Sequence, residues 1–300
     1  GPPRGPRSGA SAESTHEHRR RQLTTPRDLL AAAAARLAAA GVDSPRVDAE
    51  LLMAHCLGVE RARLDLVDEI PPATAAAFGA LVARRQKREP LQYIVGSAPF
   101  RHVRPAVGPG VFIPRPETEL LVDAVLAALR RAAEPVAVDL CAGSGALALA
   151  IADEVRGAQV YAVERSAEAL PWLRRNAAGT TVQVVAGDVA DTDLLQPLRG
   201  LVDAVVSNPP YVPAATAVQP EVRADPAEAV FAGADGLTVI PDVIARAAEL
   251  LRPGGLLVLE HDDSHGGAVP ALLAADGRWR AVTDRADLTG RPRFAVATKC

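Results

Sequence analysis

The residues with chemistry to offer first are Asn208-Pro209-Pro210-Tyr211, which break off the apolar run Val-Asp-Ala-Val-Val-Ser at 202–207. Two successive prolines cannot donate to a sheet ladder, and each biases the residue before it toward an extended conformation, so a strand ends here. The ending presents an amide side chain, rigid backbone carbonyls and an aromatic ring. At the carboxyl end of a central strand, these groups would lie where open α/β sheets bind ligands. Alone, the tetrapeptide reads as a turn, because Asn-Pro is a common loop punctuator. Its weight depends on what precedes it.

A second constellation is Asp139-Leu140-Cys141-Ala142-Gly143-Ser144-Gly145-Ala146, between an apolar run and a helical period. Glycines at such a turn let the backbone approach a ligand closely, and a helix N-terminus directs amide N–H groups at it. Glu164 ends the next apolar run, where a carboxylate can accept both hydroxyls of a ribose. Gly143-x-Gly145-x-x-Ala148 also satisfies the loose dinucleotide fingerprint, so a NAD-dependent oxidoreductase stands as a rival. Three features lower that rival. Asp139 would repel a pyrophosphate but attract an ammonium group, directly or through water. Asp188, with Val189 beside it, follows the third run, where an adenine amine would lie. Asn208 follows the fourth. Each acid alone could cap a helix or sit in solvent. The order of loop, Glu164, Asp188 and Asn208 after successive strands reads as a methyltransferase that uses S-adenosylmethionine.

The elements that must position these groups begin at residue 136, where strand and helix alternate as in a doubly wound parallel sheet. Strands are expected at 136–140, 159–164, 182–186, 202–207 and 256–260, with later runs near 280–283 and 294–298. Helices are expected at 146–155, 167–176 and 241–251, with Pro253-Gly254-Gly255 turning the last back into a strand. Upstream lies a helical module. Leu29, Leu30, Ala33, Ala34 and Leu37 lead to a stop at Gly41, and Val47, Leu51, Leu52 and Cys56 lead to one at Gly58. A third helix, 73–88, is expected to turn Phe78, Leu81 and Val82 inward and Arg84, Arg85, Lys87 and Arg88 outward. That basic cluster reads either as a solvated face or as a contact for an acidic partner such as RNA or a ribosome-bound protein. Between module and sheet, 91–95, 100–103 and 111–113 read as short extended runs of a β-hairpin.

The 300 residues suffice for one large or two modest domains, and 49% hydrophobic residues can build a core. Aromatics are only 3%, and the net charge of −3 argues against a protein held to nucleic acid by a basic surface. Cys56, Cys141 and Cys300 are odd in number and widely spaced, so neither a disulfide framework nor a metal site is indicated, and a reducing cytoplasm fits. No run is long enough to span a bilayer, and residues 1–25 read as a disordered tail.

With these motifs in place, the chain resembles a known family. Asn208-Pro209-Pro210-Tyr211 on a class I S-adenosylmethionine methyltransferase core is shared by enzymes that methylate planar amino or amide nitrogens. Glu89-Pro90-Leu91-Gln92-Tyr93-Ile94-Val95-Gly96 and Ile113-Pro114-Arg115-Pro116-Glu117-Thr118-Glu119 narrow the likeness to the HemK/PrmC glutamine methyltransferases of class I peptide chain release factors. Two departures stand out. Cys141 occupies the place of the family loop's usual first glycine. The segment Glu260-His261-Asp262-Asp263-Ser264-His265 replaces Glu-x-Gly-x-x-Gln, and His261 and His265 are expected at the surface, not as ligands.

The resemblance implies a Rossmann-like, mostly parallel seven-stranded sheet over 116–300, a β-hairpin linker over 90–115 and a helical substrate-docking domain over 26–89. It implies cofactor contacts from Asp139, Cys141, Ala142, Gly143, Ser144, Gly145, Glu164, Asp188, Val189 and Asn208. Asn208, Pro209, Pro210 and Tyr211 would bind the substrate glutamine of a Gly-Gly-Gln loop. The Asn208 oxygen and the Pro209 carbonyl would accept its two N–H bonds, while Tyr211 would pack on the amide plane and add a cation–π contribution. A monomer with no stable nucleic-acid binding is expected. The alternative is an adenine-N6 nucleic-acid methyltransferase, which would use the same four residues on a flipped base.

Overall fold

In the computed structural model, which describes residues 25–300, the Thr25 hydroxyl accepts the Asp28 amide at 3.2 Å and Pro26 opens the first helix. The tail expected over 1–25 lies, except for Thr25, outside the described residues. The chain divides into two units, one ending at Leu91 and one spanning Gln92–Cys300.

The first unit holds α1 (Pro26–Ala39), α2 (Pro45–Leu57) and α3 (Pro72–Gln86). Each starts with proline, whose fixed φ suits a first turn and whose missing N–H costs nothing there. Leu30, Ala33 and Leu37, Ala49, Leu52 and Met53, and Phe78 and Val82 form the buried stripes. One expectation fails: Arg85 points inward, 6% exposed, and its Nε donates to Asp48 Oδ2 at 2.7 Å. Residues 78, 82 and 85 follow a single helical stripe, so the inward face runs on through Arg85 and a buried carboxylate meets it. Arg84 instead pairs with Glu89.

At the start of the second unit, the expected extended run 91–95 is a short helix, α4 (Leu91–Val95), and 111–113 forms no strand. A five-residue apolar run fits either period. Here Gly96, at φ 76°, donates to the Gln92 carbonyl at 2.8 Å and closes a helical turn. Of the hairpin, only the bridges Ser97 to Ala106 and Phe100 to Val103 form.

After α5 (Glu119–Leu129) come β1 (Val136–Leu140), α6 (Ala146–Glu154), β2 (Gln159–Glu164), α7 (Ala169–Ala177), β3 (Val182–Ala186) and β4 (Val202–Ser207). Then follow α8 (Ala227–Val230), α9 (Ile240–Leu250), β5 (Leu251–Glu260), α10 (Ala268–Asp276), β6 (Trp279–Ala286) and β7 (Pro292–Lys299). The seven strands lie in the order β3-β2-β1-β4-β5-β7-β6, with β1 to β5 parallel and β7 antiparallel to both neighbours. Pro253-Gly254-Gly255 bulges within β5 instead of preceding it: Val202 pairs with Leu251 and Ala204 with Leu256.

Helices cover both faces, so the central strands read as continuous apolar runs. Ala137, Ala204 and Val206 face a core shared with Leu121, Val125, Leu147 and Ile151. Val138 and Val205 face the other, with Ile240, Val243, Ile244 and Leu273. Strand order reverses between β1 and β4, which opens a crevice beyond their carboxyl ends.

Candidate active site

The register sets three loops side by side. Leu140 pairs with Val163 on one side and Ser207 on the other, so the residues that follow β1, β2 and β4 emerge together. The Ser207 hydroxyl donates to the Leu140 carbonyl at 2.6 Å and ties two of these ends directly.

The loop after β1 is left-handed at Cys141 (φ 64°), Gly143 (φ 56°) and Gly145 (φ 86°). A Cβ on Gly145 would lie 2.6 Å from Leu173 Cδ1, so this position needs glycine for space as well as for φ. Cys141 takes the left-handed turn that a glycine would, at a strain on the order of 1–3 kcal/mol. Glu164 then braces the loop. Its Oε2 accepts the Gly143 amide at 2.8 Å, and Oε1 accepts the amides of Arg165 and Ser166 at 2.8 and 2.7 Å.

Cys141, Ala142, Gly143, Ser144, Glu164, Asp188, Val189, Asn208 and Pro210 line one cleft enclosing about 950 Å³, open mouth included. Asp188 accepts the Ala190 amide at 3.0 Å and Arg165 Nη1 at 3.1 Å; the amide first, then the guanidinium, hold its carboxyl below the usual range. Asp139, Gly145, Pro209 and Tyr211 are not among the lining residues. Asp139 is 1% exposed, with Oδ2 on the Ala148 amide at 3.2 Å and Oδ1 without a partner. Burial, and then the charge of Glu164, push its carboxyl well above the usual range.

Asn208 donates through Nδ2 to Thr118 Oγ1 at 3.3 Å, which leaves Oδ1 without a donor among the described residues. Tyr211 is placed otherwise than a ring stacked on a substrate amide would be. Its ring packs on the core face that holds Val205, and its hydroxyl donates to Glu260 Oε1 at 2.8 Å. Burial satisfied by that one bond makes it an anchor of the turn.

Several residues of the site were not legible in the sequence. Phe112, Pro114, Thr118, Arg165, Ser166 and Glu228 also line the cleft. Asp225 draws two of the motif stretches together: its Oδ1 accepts the Ile113 amide at 3.1 Å, the Tyr93 hydroxyl lies 3.4 Å away, and Arg115 pairs with Oδ2. The available signal was that the polar groups of Tyr93 and Arg115 need partners once buried.

His261 and His265, expected at the surface, are 0% and 5% exposed. β5 carries His261 on into the sheet, where its amide donates to the Arg293 carbonyl and its ring meets Asp284 Oδ1, at 2.9 and 2.8 Å. His265 Nε2 sits 2.8 Å from the Asp235 carbonyl. Among the described residues, no group of three or more His, Cys, Asp or Glu could hold a metal ion.

The cleft is therefore rich in acceptors and walled by Leu147, Val163, Val189 and Pro210. Such a set of acceptors repels a pyrophosphate and fits a ligand carrying an ammonium, an adenine amine and ribose hydroxyls. S-adenosylmethionine has those groups.

Two family models match the chain: PrmC N-terminal domain over residues 28–96 and methyltransferase small domain over 109–272. The chain is 54% identical over 279 residues to the release factor glutamine methyltransferase of Mycolicibacterium smegmatis, covering 92% of this chain and 99% of that one. It is 48% identical over 275 residues to that of Streptomyces coelicolor, covering 90% and 96%. Among solved structures, the protein-(glutamine-N5) methyltransferase (release factor-specific) from Alicyclobacillus acidocaldarius aligns with a TM-score of 0.39 and 29% identity, over 64% of this chain and 98% of that chain.

Proposed function

The chain belongs to the release factor glutamine methyltransferase family, and from that premise we propose that it methylates the side-chain amide nitrogen (N5) of the glutamine in the Gly-Gly-Gln motif of class I peptide chain release factors. The observation that carries this reading is Asn208: its side-chain nitrogen donates to Thr118, and the residue lines the cleft that also holds Glu164 and Asp188.

An amide nitrogen is a poor nucleophile because its lone pair is delocalised into the carbonyl. Asn208 Oδ1 and the Pro209 carbonyl accept the two N–H bonds of the substrate amide and hold its nitrogen in place. Two fixed acceptors aimed at a nitrogen that gains positive charge stabilise the transition state more than the ground state. Cys141, Ala142, Gly143, Ser144, Glu164 and Asp188 would hold S-adenosylmethionine, which would supply an electrophilic methyl group and leave as S-adenosylhomocysteine. The protonated product amide loses its proton readily, so the site needs no strong base, and orientation provides most of the acceleration.

The helical unit, reaching to Leu91, serves as the substrate-docking domain. The enzyme acts as a monomer in the cytoplasm without stable nucleic-acid binding; no helix among the described residues is long and apolar enough to cross a membrane. Incubation with labelled S-adenosylmethionine and either a release factor or nucleic acid tests the reading. Label should appear on the glutamine; label on DNA or RNA alone would replace this function with that of an adenine methyltransferase.

A further inference from the structure

Asn176, on α7, commits its whole side-chain amide to two segments that build the cleft. Its Oδ1 accepts the Ala106 amide at 2.8 Å, and its Nδ2 donates to the carbonyls of Ala106 and Ser144 at 3.0 and 2.9 Å. The three bonds fix the orientation of the amide, because its oxygen meets an N–H and its nitrogen meets two carbonyls. Ala106 is open to this pairing for a backbone reason. In its bridge with Ser97, the hydrogen bonds run through the neighbours, from the Ala98 amide to the Pro105 carbonyl at 3.0 Å and from the Val107 amide to the Gly96 carbonyl at 3.2 Å. The N–H and C=O of Ala106 therefore point away from Ser97, and Asn176 meets both as a further strand would.

Trp172, and Glu168 at the cap of α7, continue the contact. A Cβ on Gly108 would lie 2.6 Å from the Trp172 ring, and one on Gly110 would lie 3.2 Å from Glu168 Cβ. Residues 106, 108 and 110 thus oppose 176, 172 and 168, two residues of the segment for each four-residue step along the helix. The same helix holds the loop after β1, where Leu173 leaves no room for a side chain at Gly145. Gly110, Phe112 and Pro114 form a wall of the cleft, and Ser144 lines it from the cofactor loop. Wall and loop have a common support.

We propose that Asn176 is a positioning residue for both ligands: it sets the register of the 106–110 segment on α7 and, through the Ser144 carbonyl, the spacing between the wall at 110–114 and the cofactor loop. This rests on the reading of the cleft as the place where S-adenosylmethionine meets a glutamine. Asparagine is the side chain that the role requires. Aspartate, of the same shape, turns both donor positions into acceptors facing carbonyls, and alanine leaves three backbone groups without their partner.

The test compares wild type with Asn176→Asp, Asn176→Ala and Gly108→Ala. By calorimetry, the dissociation constant for S-adenosylmethionine should rise about tenfold in both Asn176 variants, since each loses the bond to Ser144. With release factor, KM should rise by a similar factor while kcat at saturation stays within about threefold, because the amide clamp of Asn208 and Pro209 is untouched. Partial unfolding would do the reverse, lowering kcat and leaving the affinity of the folded molecules as it was. Hydrogen exchange separates the bonds: the Ala106 amide should stay protected in Asn176→Asp, whose carboxylate still accepts it, and exchange at least about tenfold faster in Asn176→Ala. Gly108→Ala pushes the segment off Trp172 without touching Asn176. It should speed Ala106 exchange and raise KM too, and it carries the comparison if Asn176→Ala does not fold. Wild-type cofactor affinity in Asn176→Asp, or an Ala106 amide that exchanges alike in wild type and Asn176→Ala, would overturn the proposal. Affinities and exchange rates in the expected order, in a chain that transfers no methyl to release factor, would count against the proposed function and leave the bridge standing.

Discussion

Arg115 and Asp225, 110 residues apart in sequence, form an ion pair whose carboxylate is fully buried while the guanidinium is about three-quarters covered. The same carboxylate takes the Ile113 amide, so it fixes the backbone on either side of the cleft-lining Pro114. Arg115 also stacks on the cleft-lining Phe112, 4.9 Å from its ring centre.

Removing that carboxylate strands a partly buried cation and an amide donor. Asp225→Ala should cost about 3 kcal/mol or more in urea unfolding, the range for breaking a buried pair from one side. A loss below about 1 kcal/mol would mean that the wall stands without the pair.

Asn208→Ala deletes the clamp's side-chain acceptor and leaves the loop after β1 untouched. Methyl transfer to release factor should become undetectable while cofactor affinity, read by calorimetry, stays within about threefold. Retained transfer would remove Asn208 from the mechanism.

Glu164 accepts three backbone amides with its two oxygens. Glu164→Gln replaces one of those oxygens by a donor that faces other donors, so the loop loses its brace and the cofactor a ribose acceptor. Cofactor dissociation constants should rise at least tenfold, about 1.4 kcal/mol. Unchanged affinity would show that the carboxylate serves only the loop.

Glu260 also makes stability depend on pH. Burial raises its folded value to about 7, above the ordinary 4.5, so between these the folded state keeps a proton that the unfolded chain releases. Its contribution is present in acid and is lost as pH rises through 7, by about 3 kcal/mol in all. Glu260→Gln has no such loss. Unfolding measured from pH 5 to 8 should show the variant gaining on wild type up to about pH 7 and holding level above it, and parallel curves throughout would place Glu260 at an ordinary carboxylate value.

What the sequence could show depended on how local the signal was. The central strands β1 and β4 were legible because burial on both faces leaves plain apolar runs, and the glycine loop and the two prolines mark where those runs stop. The run 91–95 was not legible, since five apolar residues carry no period of their own. Arg85, His261 and His265 were misplaced because a polar residue's burial depends on its partner, and Asp48, Asp284 and the Asp235 carbonyl are remote in sequence. Likewise, the acids were found, but that Asp139 underlies the loop, and that Glu260 sits beneath the turn, are facts of packing alone.

The position of β7 bears on how the sheet is made. β5 and β6 never touch as a ladder; β7, later in the chain than either, pairs with both and joins them. While the chain emerges from a ribosome, β5 must therefore wait with an open edge, and β6 has nothing to pair with, until residues 292–299 arrive. Such late, non-local pairing slows folding and leaves an adhesive strand uncovered in the interval. The sheet edge that carries Glu260 toward the clamp is thus among the last parts of the enzyme to be assembled, and a nascent chain stalled before β7 is a candidate for chaperone capture rather than for catalysis.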